Sequence, residues 1–108
     1  MTVRPRFDEV IHAPTRLSIV ALLASSDWAT FAFIRDSLSL SDSALSKQLT
    51  ILEEAGYIDI NKEFVAKRPR TSARLNRVGR AAFEQHVAAL QEIVARAGLT
   101  EPPRPESP

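Results

Sequence analysis

The chain has no cysteine, which excludes a disulfide framework and a thiolate metal site. Glycine is scarce, three in 108 residues, too few for a loop whose backbone amides cradle a phosphate. Aromatic side chains make up 6% of the chain and form no interleaved platform for stacking single-stranded bases. No apolar run is long enough to span a bilayer, and the start "MTVRPRFDEV" lacks the apolar stretch of a signal peptide. A cytoplasmic protein with no membrane partner is therefore expected. Asp8 and His12 lie four residues apart on one helix face, and His86 stands alone in a later helix. Zinc needs three or four ligands, so neither a metal nor another cofactor is expected. No nucleophile–base spacing points to an enzyme.

What is present is an ordinary globular composition, 44% apolar and 25% charged, at a length that suits one modest core. The net charge of +1 conceals a strong segregation. Residues 1–61 carry five basic and eight acidic side chains, a net of −3. Residues 62–80 carry Lys62, Lys67, Arg68, Arg70, Arg74, Arg77 and Arg80 against Glu63 alone, a net of +6. Residues 81–108 return to −2, from two basic and four acidic residues. Solubilising charge is usually mixed in sign. A concentrated basic block reads instead as a footprint for phosphate.

The periodicity predicts helices first. "FDEVIH" is a short amphipathic piece, and "APTRLSIVALLASS" is a helix with Pro14 in its first turn. Its Leu17, Val20, Ala21 and Ala24 recur at helical spacing, and Ile19, Leu22 and Leu23 broaden the apolar surface. "DWAT" is too short for more than one extended turn, with Trp28 a core or sheet anchor. "FAFIRDSLSL" follows as a compact helix capped by Thr30. A tight turn at "LSLS" leads into a helix capped by Ser41 and stopped by Gly56. Period two then takes over in "YIDINKEFV" and "TSARLN", predicting two strands. Pro69 cannot donate to a ladder, so "AKRPR" between them is expected to be the loop tip. A long helix over about 78–97, ended by Gly98, completes a domain spanning residues 1–98. The tail 99–108, with four prolines in its last nine residues, is expected to be disordered.

The helix "SDSALSKQLTILEEAGYI" raises the functional question. Serine competes with the backbone for hydrogen bonds and is a poor choice inside a helix. At 100° per residue, Leu45, Leu49 and Leu52 form one narrow stripe toward the core. Ser43, Ser46, Lys47 and Thr50 occupy the opposite arc in the first three turns, while Glu53 and Glu54 stand at the far end. A recognition helix enters the major groove with its N-terminal residues, where hydroxyls can meet base edges or phosphate oxygens. Helix starts are often polar for capping alone, so this signal is weak by itself. The basic hairpin that follows changes the balance. Lys67, Arg68 and Arg70 at a turn form a wing able to enter an adjacent minor groove. The expected partner is double-stranded DNA. A winged helix used only as a protein adaptor is the alternative, and it has no need of seven basic residues in this segment.

The long helix has more apolar surface than a small domain can hide. Phe83, Val87, Leu90, Val94 and Ala97 are spaced as a heptad seam. Ala82, Ala89 and Ile93 form a second stripe that can rest on the same chain. A homodimer paired through the seam, aided by Phe7, Val10 and Ile11, is expected.

At this point "HAPTRLSIVALLAS", "LSLSDSALSKQLTILEEAGYI" and "KRPRTSARLNRVGRAAF" resemble the winged helix-turn-helix regulators of the ArsR/MarR type, in particular a compact group with an "RRPRT" wing. The resemblance spans roughly residues 7–95. It implies a mainly α fold with a small β-wing and a homodimeric, sequence-specific transcriptional regulator, here expected to repress. It also implies major-groove readout by Ser43, Ser46, Lys47 and Gln48 and wing contacts from Lys67, Arg68 and Arg70. Ser41, Ala44, Thr50 and Arg74 complete the expected contact set. Two departures are visible. Glu63 and Ala66 stand where such wings often carry glycine, implying a stiffer hairpin, and Asn76-Arg77 replaces the usual Thr-Pro entry to the last helix. The pattern specifies no effector, operator or regulated gene.

Overall fold

The computed structural model describes residues 4–98; the Pro-rich tail expected at 99–108 lies outside them. The order is α1 (Glu9–His12), α2 (Pro14–Ala24), β1 (Ala29–Thr30), α3 (Phe31–Ser37), α4 (Asp42–Glu54), β2 (Ile58–Val65), β3 (Arg68–Leu75) and α5 (Arg77–Arg96). The strands form one antiparallel sheet in the order β1-β3-β2. This is the winged helix-turn-helix: mainly α, with a small sheet from which a β-wing extends. Among the described residues no helix is long and apolar enough to cross a membrane.

The sheet corrects the reading of "DWAT". Ala29 and Thr30 pair with Ala73 and Ser72, adding a third strand to the expected two. Two residues are too few for a period-two signal, so only the partner strand makes them a strand.

Local chemistry explains the helix limits. The Ser41 hydroxyl accepts a hydrogen bond from the Ala44 amide, and the Thr30 hydroxyl accepts one from Phe33. Both satisfy amides that a helix start leaves unpaired. At the end of α4, Gly56 takes φ +82°, while the Tyr57 amide reaches back to the Leu52 carbonyl and the Gly56 amide to Glu53. That is a Schellman stop, and it needs the left-handed conformation glycine adopts freely. The same pattern ends α3, with Ser39 at φ +53° in the glycine place and Leu40 bonded back to Arg35. It sets the sharp turn between α3 and α4. Asn76 proves to be the cap of α5, its Oδ1 accepting from the Gly79 amide at 2.8 Å, so the helix starts at Arg77 without a proline.

One core joins α1 to α4 and the sheet. Ile11, Ile19, Val20, Leu23, Ile34, Leu45 and Leu52 are fully buried in it, with Leu49, Ile58, Ala73 and Leu75 beside them. Leu45, Leu49 and Leu52 are the stripe expected on α4. In α2 the inward face centres on Ile19, Val20 and Leu23, whereas Ala21 is exposed. The helix is apolar nearly all round, so spacing alone does not select its inner face. α5 lies against this body through Gly79, Ala82, Phe83, His86 and Ala89.

Candidate nucleic-acid interface

The first half of α4 presents its polar arc to solvent. Ser43, Ser46, Lys47 and Thr50 are exposed, as is the cap Ser41, while Ala44 is half-buried. The Ser43 and Ser41 hydroxyls lie 3.4 Å apart, and the Thr50 hydroxyl donates to the Ser46 carbonyl at 2.9 Å. Arg35 Nη1 meets Asp42 Oδ1 at 3.0 Å, tying the start of α4 to α3. Asp36 and Asp42 push the Arg35 guanidinium further into its charged range, and Arg35 holds the Asp36 carboxyl below its ordinary value.

Gln48 behaves differently from its expected neighbours. It is half-buried, and its Oε1 accepts a hydrogen bond from Arg16 Nη1 at 2.9 Å. Arg16 also donates to the Val10 carbonyl, so the pair locks α4 to the α1–α2 corner. Periodicity places Gln48 at the flank of the outer arc, but only the fold supplies Arg16 to hold it. Its amide nitrogen and the second lone pair of Oε1 stay without a partner among the described residues.

The wing is a blade of ten consecutive exposed residues, 61–70. Its strands stay paired to Val65 opposite Arg68, so the tip is the two-residue turn Ala66-Lys67. Both residues have positive φ, +52° and +67°, the requirement of a type I′ hairpin. This overturns the expectation that Pro69 lies at the tip. Pro69 is in β3 opposite Phe64, on the side that β1 leaves free beyond Ser72. A proline missing its N–H costs nothing on an unpaired edge.

Pairing sorts the basic residues. Arg70 Nη2 meets Glu63 at 2.9 Å. Arg74 bonds Asp59 at 3.1 Å and lies 4.6 Å over the Trp28 ring, with its side chain still 45% exposed. Among the described residues, Lys62, Lys67 and Arg68 have no ion-pair partner. Lys62 stands outside the contact set expected from sequence. Its parity with Ile58 and Ile60 on β2 is the signal that finds it, because that parity turns it toward α4. Ser46, Thr50 and Glu53 of α4 line one groove with Lys62 and Thr71 of the hairpin, and Phe31, Leu49 and Ile60 supply its apolar lining. Part of the polar arc, Ser46 and Thr50, and the base of the wing therefore border one concavity.

Behind this surface, Asp8 joins three elements. Its Oδ1 accepts from the Ile11 amide, its Oδ2 from the Tyr57 hydroxyl at the end of α4, and its own amide donates to His86 Nδ1 at 2.9 Å. The Asp8 hydrogen bond and burial push the Tyr57 phenol up to about 12. The His86 imidazole is held below its ordinary value by burial, then by His12, whose Nδ1 lies 3.4 Å from its Nε2. Asp8, His12 and His86 thus work as internal fasteners.

The residues expected at a dimer interface divide. Ile11 is fully buried in the chain's own core, so it is not available to a partner as expected, whereas Phe83 is half-buried and packs its inner side against that core. The short α1 turns Ile11 inward, and Phe83 falls on the face of α5 that meets the body. Val10, Val87 and Leu90 are half-buried. Phe7, Val94 (39% exposed) and Ile93 (49% exposed) lie open. Spacing places Ile93 on the inner stripe, but the end of α5 runs past the body.

The sequence model of the winged helix DNA-binding domain family matches residues 15–94. An uncharacterized protein of Methanocaldococcus jannaschii is 26% identical over 85 residues, 79% of this chain and 92% of that protein. The structure of a transcriptional regulator homologue from Pyrococcus horikoshii superposes with a TM-score of 0.77 at 24% identity, covering 83% of this chain and 89% of that one. A zinc-responsive MarR family member from Lactococcus lactis gives a TM-score of 0.60 at 22% identity, covering 84% of this chain and 62% of that one.

Proposed function

Because the chain belongs to the winged helix DNA-binding domain family, we propose that it is a sequence-specific, dimeric transcriptional repressor. The observation that carries this reading is the concavity bordered by Ser46 and Thr50 of the polar arc of α4 and by the base of the wing. α4 enters the major groove, where Ser43, Ser46 and Lys47 meet base edges, and Ser41, Thr50 and the nitrogen of Gln48 add contacts at its margin. Lys67 and Arg68 reach the flanking minor groove, with Lys62 on the wall between. These three cations have no ion-pair partner among the described residues, so no intramolecular salt bridge is broken when they meet phosphate. Arg70 contributes after exchanging Glu63 for phosphate.

The dimer is supported by the open apolar end of α5. Val94 and Ile93, flanked by Phe7 and the half-buried Val87 and Leu90, form a face that a second copy covers. A twofold pairing there sets two recognition helices about 34 Å apart, one turn of DNA, and selects a near-palindromic site. The domain then comprises residues 1–98, with α5 as its pairing helix. A pair of domains seated on such a site blocks other proteins from it, so the reading is repression by occupancy, in the cytoplasm where the DNA lies.

Selection from random duplexes tests the reading, and one near-palindromic sequence is the expected product. Replacing Lys67, Arg68 and Arg70 by Ala should lower the log–log salt slope by about 0.9 for each phosphate no longer neutralised. Ser43→Ala, Ser46→Ala and Lys47→Ala should each cost about 1–3 kcal/mol at a particular base position. An unchanged slope removes the wing from DNA. Equal weakening on specific and random DNA reduces α4 to a backbone grip.

A further inference from the structure

The wing carries an apolar feature that phosphate binding does not explain. Phe64 is 78% exposed and Val65 is 42% exposed, on a hairpin that projects from the body. The ten exposed residues carry the blade roughly 15 Å outward, at about 3.3 Å per residue of strand. Phe64 is directly opposite Pro69. A cross-strand pair of this kind could merely stabilise the hairpin, but at that exposure the proline leaves most of the ring uncovered.

Strand parity orients the ring. Ile58, Ile60, Lys62 and Phe64 share one face of β2, and Leu75, Ala73, Thr71 and Pro69 lie opposite them on β3. That face begins in the core, passes the groove beside Ser46 and Thr50, and ends at Phe64. The ring therefore stands on the side of the wing that looks along the recognition helix. On the same face Lys62 lies two residues before it, and Lys67 stands at the turn, while Glu63, Arg68 and Arg70 have the opposite parity. An apolar protein partner would have to tolerate those cations. Duplex DNA offers phosphates to the cations and a stack of base faces to the ring.

We propose that Phe64, backed by Pro69, is a wedge that enters the minor groove beside the α4 contact and partly unstacks one base step. The inference rests on the DNA-binding reading above and adds a mode of recognition to it. Apolar wedges in the minor groove kink the duplex toward the major groove and open the minor groove around them. The rigid proline behind the ring and the tight positive-φ turn keep the blade stiff enough to transmit that load. Sequence preference follows from the mechanics. A wing that inserted only arginine would favour a narrow, stiff A-tract. A wedge favours a flexible pyrimidine–purine step such as TpA or CpA, because such a step is easily unstacked.

The test uses the full chain and its selected duplex, with either a TpA step or an A-tract under the wing. A 2-aminopurine reports on stacking at that step, and end-labelled duplexes report bending by energy transfer. Wild type should brighten the 2-aminopurine, shorten the end-to-end distance, and prefer TpA by about tenfold, within the range that one base position contributes. Phe64→Ala should lose all three effects while keeping the salt slope, and Phe64→Leu should retain them in part. Because Phe64 is largely exposed, the circular dichroism of both variants should match wild type. The wedge is overturned if Phe64→Ala unstacks and bends DNA as wild type does, or if wild type binds with a silent 2-aminopurine. It is also overturned if wild type prefers the A-tract. A wild type that binds no duplex refutes the DNA-binding reading itself, a separate outcome.

Discussion

Acidification should loosen the protein through His86. The imidazole is fully buried, and its Nδ1 accepts the Asp8 amide at 2.9 Å. A backbone amide can only donate, so the neutral ring carries its proton on Nε2, facing His12 Nδ1. A second proton would place donor against donor at Asp8 and bury an uncompensated charge. Asp8 and Glu9 favour the cation, but burial and His12 outweigh them, and the imidazole titrates below its ordinary 6.5. The unfolded chain therefore takes up the proton first. Stability is complete above about pH 6.5 and falls as the pH drops from there toward the folded-state value, because the unfolded chain binds the extra proton. Urea unfolding at fixed protein concentration should show the midpoint falling as the pH drops below 6.5. His86→Gln can still accept the Asp8 amide but cannot titrate, so it should flatten that dependence by one proton. Equal pH profiles for the variant and wild type would refute the assignment.

Other outcomes follow from particular contacts. Gly79→Ala should destabilise by about 1–3 kcal/mol despite its better helix propensity, because the added Cβ would lie 2.1 Å from the Tyr57 carbonyl oxygen and 2.7 Å from Leu75 Cδ1; a stabilised variant in thermal melts contradicts that packing. Ala66→Gly should stabilise the wing by up to about 1 kcal/mol, since Ala66 sits at φ +52°, and slower amide exchange at Val65 and Arg68 would register it. Val94→Asp should yield folded monomers that also lose specific DNA affinity. Sedimentation decides this one, and a wild type that is monomeric at micromolar concentration rules out pairing through α5.

The elements that depend on neighbours along the chain are legible in the sequence alone. Ser41 and Gly56 bound α4 because a cap and a left-handed stop act within four residues of backbone. The Leu45–Leu49–Leu52 stripe is inward because a helix repeats every 3.6 residues, whatever it packs on. The basic block and the polar arc of α4 are equally visible, since composition and periodicity carry them. What needs the tertiary structure involves residues far apart in sequence. Ala29 and Thr30 become a strand only when β3 arrives beside them. Pro69 reads as a turn until the free edge of β3 removes its penalty. The partners of Gln48 and Arg74, namely Arg16 for the one and Asp59 and Trp28 for the other, have no sign in the local pattern. Ile11 fits a dimer seam by sequence, yet the chain's own core claims it. The pattern of a sequence specifies which side chains share a face; only the closing of the fold, through contacts tens of residues apart, decides which faces are already occupied.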